Sequence, residues 1–453
     1  MMPSVVRGLA AGEVCHNESS WYTGGMKIIA DLHIHSPYSR AVSKNMTLEN
    51  LDYWAGLKGI TVMGTGDFTH PAWIKEIKQK LEPAESGLYT LKSKFSTKGG
   101  SDAVDGKNKD SRTRFLLTVE VSSIYSKGGK VRRVHSLIFS PSIEAAEKIN
   151  RALHARGNIK SDGRPILGID PKDILKIALD ADPRCVLVPA HIWTPWFALF
   201  GSKSGFNAIE ECFEETTKHI FALETGISSD PGMNWRLSSL DRFSLISNSD
   251  SHSLRRIGRE ANILDADLSY DGIMDAIKSK DPKRFLSTVE FFPEEGMYHY
   301  DGHRACKVRL APDETRKLDN LCPTCGRPVT VGVLHRVEEL ADRPKGFYPA
   351  RAIPYRMMVP LDEIIAAARG VLSATNKGVQ EEYLSVVAEF GNEFAALYDS
   401  AKSDLMSRLR PEVAEEILRV RESRLFIKPG YDGEYGTVTI FKPEEIKRYS
   451  KKV

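Results

Sequence analysis

The feature that most constrains this chain is where its histidines and acids fall. Short apolar runs recur from Lys27 to about Phe292, and most of them stop at a His, Asp or Glu. KIIADLHIHS, GITVMGTGDFTH, RFLLTVEVSS, HSLIFS, CVLVPAHIW, FALETG, FSLISNSDSH and RFLSTVEFF read as strands, rich in β-branched and aromatic residues. TLENLDYWAGLKG, SIEAAEKINRALHARG, DPKDILKIALDA and YDGIMDAIKSK, lying between them, read as helices. In the third of these, Asp170 suits the N-cap and Pro171 the first helical position. Strands alternating with helices predict a parallel α/β arrangement, open or barrel-like.

In a parallel barrel the carboxyl ends of the strands share one mouth. His33 and His35 follow the first strand as H-x-H, which puts both rings on one face of an extended segment. Asp67 and His70 follow the second, Glu120 ends the third, and His135 opens the next. His191 ends CVLVPA, and Asp250 with His252 ends FSLISNS as D-x-H. A single His in such a place is more often an ordinary hydrogen-bonded residue, and His135 alone would be read that way. The joint distribution over so many strand ends is what predicts a metal cluster.

A second signal is His303-x2-Cys306 followed by Cys322-x2-Cys325, with fifteen residues between the pairs. This is the spacing of a two-knuckle structural zinc site with His replacing one Cys. His299 is the rival for the fourth position. A redox pair at Cys322 and Cys325 would leave Cys306 and His303 without a reason. Cys15, Cys185 and Cys212 are scattered, so the six cysteines form no disulfide framework, which fits a reducing cytoplasm.

At 453 residues the chain is too long for one ordinary core. Residues 1–25 are expected to be a disordered extension, with Met26 as the natural start. Residues 26–293 hold the metal-bearing α/β unit, residues 294–344 the cysteine module and residues 345–453 a mainly helical part closing on a hairpin-like SRLFIKPGYDGEYGTVTIF. The long polar stretch from Glu85 to Arg114 breaks the rhythm and is expected to be a functional or mobile loop. No apolar run reaches the roughly 18 residues of a membrane span. Net charge is only +3, so the global field does not announce a nucleic-acid partner, although basic residues gather in LKSKFSTKGG and GKNKDSRTR.

DLHIHS, GTGDFTH, VE, HSL, PAH and SDSH resemble the successive motifs of the polymerase-and-histidinol-phosphatase (PHP) superfamily. The resemblance implies a distorted (β/α)7 barrel holding two or three divalent ions (Zn, Mn or Mg). Its ligands would be His33, His35, Asp67, His70, Glu120, His135, His191, Asp250 and His252. The separation of Asp67 from His70 departs from members in which Asp and His are consecutive. Paired cations suit phosphate-ester hydrolysis, since they activate water and neutralise phosphoryl charge, and mixed His and carboxylate donors favour Zn or Mn over Mg.

With the zinc module, GVLHRVEELADRP and IPYRMMVPL added, the chain from about Met26 onward resembles the endonuclease Q family. That resemblance implies a DNA repair endonuclease cutting 5′ to deoxyuridine, deoxyinosine, deoxyxanthosine or an abasic site, leaving 3′-hydroxyl and 5′-phosphate ends. The partner would be double- or single-stranded DNA carrying such damage.

Reading one base requires taking it out of the stack. HIWTPWFALFGSKSGF offers Trp193, Trp196, Phe197 and Phe200, of which Trp196 and Phe197 are the candidate wedges. Glu224, Ser228 and Asn248 are expected to line a base pocket beside the metals, with Asp250 and Glu224 in catalytic roles. Phosphate contacts would come from the Lys-rich loop, the zinc module and Arg336 or Arg356. The basic tail EEIKRYSKKV contains no glutamine-and-diaromatic motif, which argues against a sliding-clamp partner. The alternative is a PHP-type phosphatase acting on a small phosphomonoester.

Overall fold

The computed structural model describes residues 26–96 and 113–440. The expected N-terminal extension, most of the Lys-rich loop and the basic tail lie outside these residues. No helix among the described residues is long and apolar enough to cross a membrane.

The architecture is mixed α/β around an eleven-stranded sheet. Met26–Asp31 lies parallel to Val62–Gly64, which lies parallel to Arg114–Lys127. Lys130–Ser140 then runs antiparallel to Arg114–Lys127 and to Val186–Pro189. Ala222–Glu224 and Ser244–Ile246 form a separate parallel pair. Two backbone links continue the pairing around them: Ile192 N donates to Glu224 O at 3.1 Å, and Ile34 bridges Ser251 in parallel.

Strand alternation sorts the apolar residues into two clusters. Ile28, Ala30, Val62, Leu116, Leu137, Val188, Ala222 and Ile246 share one. Their sequence neighbours Ile29, Met63, Leu117, Ile138, Leu187, Leu223 and Leu245 join the larger one, together with residues of the surrounding helices. Side chains of period two facing two different cores give strands buried on both sides.

Most expected elements are present. Helices occupy Leu48–Lys58, Ile143–His154, Pro171–Ala181 and Tyr270–Ser279. Asp170 caps the third, accepting from Lys172 N, and Pro171 opens it. Two features depart from the sequence reading. RFLLTVEVSS and HSLIFS belong to one long hairpin, turning at Gly128 and Gly129, rather than to successive parallel units. Glu120 and His135 therefore sit in mid-strand, not at strand ends. The reason is local: two positive-φ glycines make a tight reversal, which removes any need for a crossover helix. The second departure is Ala261–Ala266, an unforeseen strand that pairs antiparallel with both Met26–Asp31 and Phe285–Glu290.

Beyond the sheet, Asp301–His303 and Val308–Leu310 form a short hairpin that carries the first metal-type pair. Tyr355–Met357 returns to the main sheet, parallel to Phe285–Glu290. Helices Leu361–Ala368, Lys377–Phe390, Lys402–Arg408 and Pro411–Arg421 follow. The expected closing hairpin is Phe426–Lys428 against Thr437–Thr439.

Candidate metal centre

Two groups of donors meet where the central strands end. His33, His35, Glu120 and Asp250 bring one ligand atom each to within 4.8 Å of one another, and Glu120, His135 and His191 do the same. Glu120 belongs to both groups. The hairpin explains how: Glu120 and Ser122 share a face, Ser122 pairs with His135, and the His135 Nδ1 lies 2.6 Å from Glu120 Oε1. His191 Nε2 approaches the same oxygen at 3.0 Å.

The first group is held from behind. His33 Nδ1 donates to Glu224 Oε1 at 3.0 Å, and His35 Nδ1 to Asp67 Oδ1 at 3.0 Å. A carboxylate can only accept, so each ring keeps a proton on Nδ1 and turns Nε2 toward the centre, where the His35 Nε2 lies 3.1 Å from Asp250 Oδ1. The His33 Nε2 is buried and has no hydrogen-bond partner. Two imidazole lone pairs and two carboxylates converging this way, one nitrogen otherwise orphaned, fit a divalent ion. In the second group, His135 Nδ1 and His191 Nε2 stand 3.2 Å apart beside Glu120.

The centre carries an excess of negative charge. Burial alone would depress the His33 imidazole, but Glu224 and Asp250 hold it well above its usual value, so a cation is favoured at Nε2, a proton or a metal ion that displaces it. Burial would raise Glu120, yet His135 and Arg164 keep it well below the carboxylate range. Three of the expected ligands also have left-handed backbones: Asp67 at φ 51°, His191 at 28° and Asp250 at 45°. Such conformations are costly for non-glycine residues and persist only where the surroundings enforce them. Gly226 is likewise forced, because a Cβ there would lie 2.4 Å from the His191 Cβ.

The geometry redistributes several expected roles. Asp67 commits both oxygens, to His35, to Ser36 and to Ser39 Oγ, and so orients His35 from outside the donor groups. His70 caps no helix by hydrogen bond; its ring stacks on Tyr38 at 4.4 Å and it joins neither group. His252 spends Nδ1 on the Asp250 carbonyl and stays outside as well. Glu224 is fully buried and receives His33 Nδ1, His191 N and Asn248 Nδ2. Its carboxylate is thus occupied by three donors, and it belongs to neither donor group. Asn248 is also buried, bonded to Leu32 N, Asn262 and Glu224, and presents nothing to a base.

Ser228 is partly exposed in the turn after Glu224. Of the four rings after His191, Trp193 and Phe200 are core residues. Trp196 is half-buried against Tyr298, and Phe197 packs on His135 at 4.8 Å. Arg336 is tied to the carbonyls of Phe200 and Phe206, and Arg356 lies over the Tyr398 ring at 4.4 Å. Arg336 is thus engaged within the fold, whereas Arg356 remains exposed with one guanidinium face on the ring.

One residue escaped the sequence reading. Arg164 Nη1 donates to Glu120 Oε2 at 3.0 Å, with the side chain about a quarter exposed. Its loop is pinned by Gly163 N to Tyr38 O and Ser122 N to Pro165 O. A Cβ on Gly163 would fall 2.3 Å from Asp67 Oδ2. No motif marks Arg164; only GR in a polar loop hints at it.

The second cluster is separate. His303, Cys306, Cys322 and Cys325 bring their ligand atoms together, and Cys325 Sγ lies 3.4 Å from His303 Nδ1. Burial would raise the Cys322 thiol, but the amides of Thr324 and Cys325 bring it down to about 6, as a thiolate in a zinc knuckle requires. His299 is buried with an unpartnered Nδ1 and stands outside this set.

Residues 360–424 match the family described as the MJ0043 C-terminal domain. The MJ0043 protein of Methanocaldococcus jannaschii is 33% identical over 271 residues, 58% of this chain but only 33% of that protein's own length. YqxK of Bacillus subtilis is 29% identical over 425 residues, covering 91% of this chain and 99% of its own. Among solved structures, the lesion-specific endonuclease PfuEndoQ of Pyrococcus furiosus superposes with a TM-score of 0.78 at 30% identity, over 93% of this chain and 97% of that one. Endonuclease Q in complex with a 27-mer duplex bearing an abasic lesion at its active site gives 0.78 at 31%, over 93% and 98%.

Proposed function

Because this chain belongs to the endonuclease Q family, we propose that it is a DNA repair endonuclease that hydrolyses the phosphodiester 5′ to a deaminated base or abasic site. The observation that carries this reading is the pair of donor groups sharing Glu120, in a chain whose likeness to a lesion-bound nuclease runs almost its full length. The succession of strand pairings around Met26–Asp31 supports describing residues 26–293 as a distorted (β/α)7 barrel of PHP type. A zinc module at 294–344 and a mainly helical, DNA-contacting part at 345–453 complete the proposed organisation.

Two or three divalent ions held by His33, His35, Glu120, Asp250, His135 and His191 would activate water and neutralise charge on the phosphoryl oxygens. The protein's own residues do the rest. Glu224 and Asp67 fix the tautomers of His33 and His35. Arg164, beside the shared Glu120, carries a cation where a phosphoryl oxygen would lie. Half-buried Phe197, packed on His135, and Trp196, packed on Tyr298, would hold the neighbouring base out of the stack, and Ser228 would meet its edge.

A 5′-labelled duplex containing one deoxyuridine, incubated with Mn, Mg or Zn, tests this. The wild type is expected to leave one nick immediately 5′ of the uracil. Asp250→Asn is expected to lose at least the roughly 10²–10³-fold that removing one transition-state contact costs. An intact duplex alongside hydrolysis of a chromogenic phosphomonoester would transfer the reading to a small-molecule phosphatase.

A further inference from the structure

Asp250 joins the candidate centre from a backbone at φ 45°, a conformation that an aspartate does not hold unaided. The segment leading into it is fixed at nearly every backbone group. Asn262 brackets Ser247, receiving its N–H at 3.0 Å and donating to its carbonyl at 2.8 Å. Asn248 Oδ1 accepts from Leu32 N at 2.9 Å. Beyond Asp250, Ser251 exchanges backbone bonds with His33 and His35.

Between these ties stands Ser249, the residue whose carbonyl begins the peptide to Asp250. Its N–H donates to Asp31 Oδ1 at 3.0 Å. Its carbonyl accepts from both Nε and Nη2 of Arg259, at 3.0 and 2.9 Å. Asp31 uses its other oxygen on Gly258 N at 2.9 Å, so the two clamping residues are themselves joined through one loop. Arg259 lies 5.5 Å over the Phe291 ring and forms no ion pair among the described residues. Its forked pair of donors is spent on a single carbonyl instead. A guanidinium forked on one oxygen fixes the plane of that peptide as one donor could not.

We propose that Arg259, with Asp31, is a positioning residue that clamps the Ser249 peptide and thereby holds Asp250 in its left-handed, ligand-presenting conformation. The proposal rests on the metal-centre reading above. Neither residue touches substrate; each acts through Asp250. Without the clamp Asp250 relaxes toward an ordinary backbone region and its carboxylate leaves the centre, while the rest of the donor set remains.

The test is a Mn(II) titration of the full chain without DNA, followed by electron paramagnetic resonance, on wild type, Arg259→Met and Arg259→Lys. Zinc content and circular dichroism are measured on the same samples. Arg259→Met is expected to bind Mn roughly 10–100-fold more weakly, the usual cost of losing an outer-shell partner. Zinc content should be unchanged and Arg259→Lys intermediate. At saturating Mn the Met variant should recover cleavage without a change in KM for DNA.

Unchanged Mn affinity in Arg259→Met overturns the clamp. So does intact Mn affinity with weakened binding of inorganic phosphate to the Mn-loaded protein, which would make Arg259 an anion contact. If Arg259→Met does not fold, Arg259→Lys decides by the same titration: weaker Mn binding at full zinc content supports the clamp, and wild-type affinity removes it. A wild type that takes up no Mn at all would defeat the metal-centre reading itself, a result distinct from these.

Discussion

In the centre beside the main sheet, all donors except Asp250 are buried, and His33 and His35 are oriented by acids that belong to neither donor group. In the 303–325 segment the donors hang from a three-residue strand, a single turn and a short knuckle, with Cys325 exposed and few apolar residues around them. The first cluster is arranged by the scaffold and receives metal as a guest. The second is closed at its base by the paired backbones of Gly302 and Thr330, and metal would draw the ligand-bearing turns beyond that pair together. The same residue chemistry therefore serves two purposes, and burial with orientation, rather than ligand type, tells them apart.

The largest effect that would break this comparison is loss of the knuckle. A structural zinc contributes on the order of 10 kcal/mol to a small fold. Cys322→Ser, or chelation of the wild type, is thus expected to erase amide-exchange protection from about residue 301 to 330. Protection in Met26–Asp31 and Arg114–Lys127 should stay. If the strands lose protection together with the knuckle, the two regions are one cooperative unit and the contrast falls.

A smaller effect sharpens the other side. Glu224→Gln keeps the shape but places an amide against the His33 Nδ1, favouring the wrong tautomer. A loss of roughly 10–100-fold in Mn affinity is expected, with zinc content untouched. Calorimetric titration with Mn reads it, and a wild-type isotherm would show that His33 needs no partner behind it.

The smallest effect concerns acids just behind the centre. Glu290 is buried with two threonine hydroxyls and no ion pair among the described residues, and burial pushes its pKa up to about 8. The unfolded chain releases that proton near pH 4.5, the folded chain near 8. Folding therefore takes up a proton between those values, and stability is expected to fall as pH rises through them, by at most about 1.4 kcal/mol per pH unit. Denaturant titrations of Glu290→Gln across that range should show a flatter profile. In the centre itself imidazoles keep Glu120 and Asp250 ionised instead.

Much of this was legible in the residues. Strand-and-loop alternation exposed His33, His35, His191 and Asp250, and two x2 spacings exposed the Cys/His cluster, because period and spacing are written in the chain. What the chain does not write is direction. Asp67 and Glu224 are the same residue types as true donors, and only their place behind a histidine makes them orienting groups. Glu120 and His135 were found for an incomplete reason, since two glycines fold their strands into a hairpin. Arg164 and Arg259 gave no motif, because each works through a contact that only the fold creates, with the Glu120 carboxylate 44 residues away or the Ser249 carbonyl 10 residues away.

The strand Tyr355–Met357 lies along Phe285–Glu290 and ends the path of the main sheet. A chain cut before it would leave Phe285–Glu290 as a bare border of unpaired amides and carbonyls, open to the same border on another molecule. The segment after residue 344 thereby covers a sheet border as well as adding helices. Attempts to express residues 26–344 alone should meet self-association before they meet any question of catalysis.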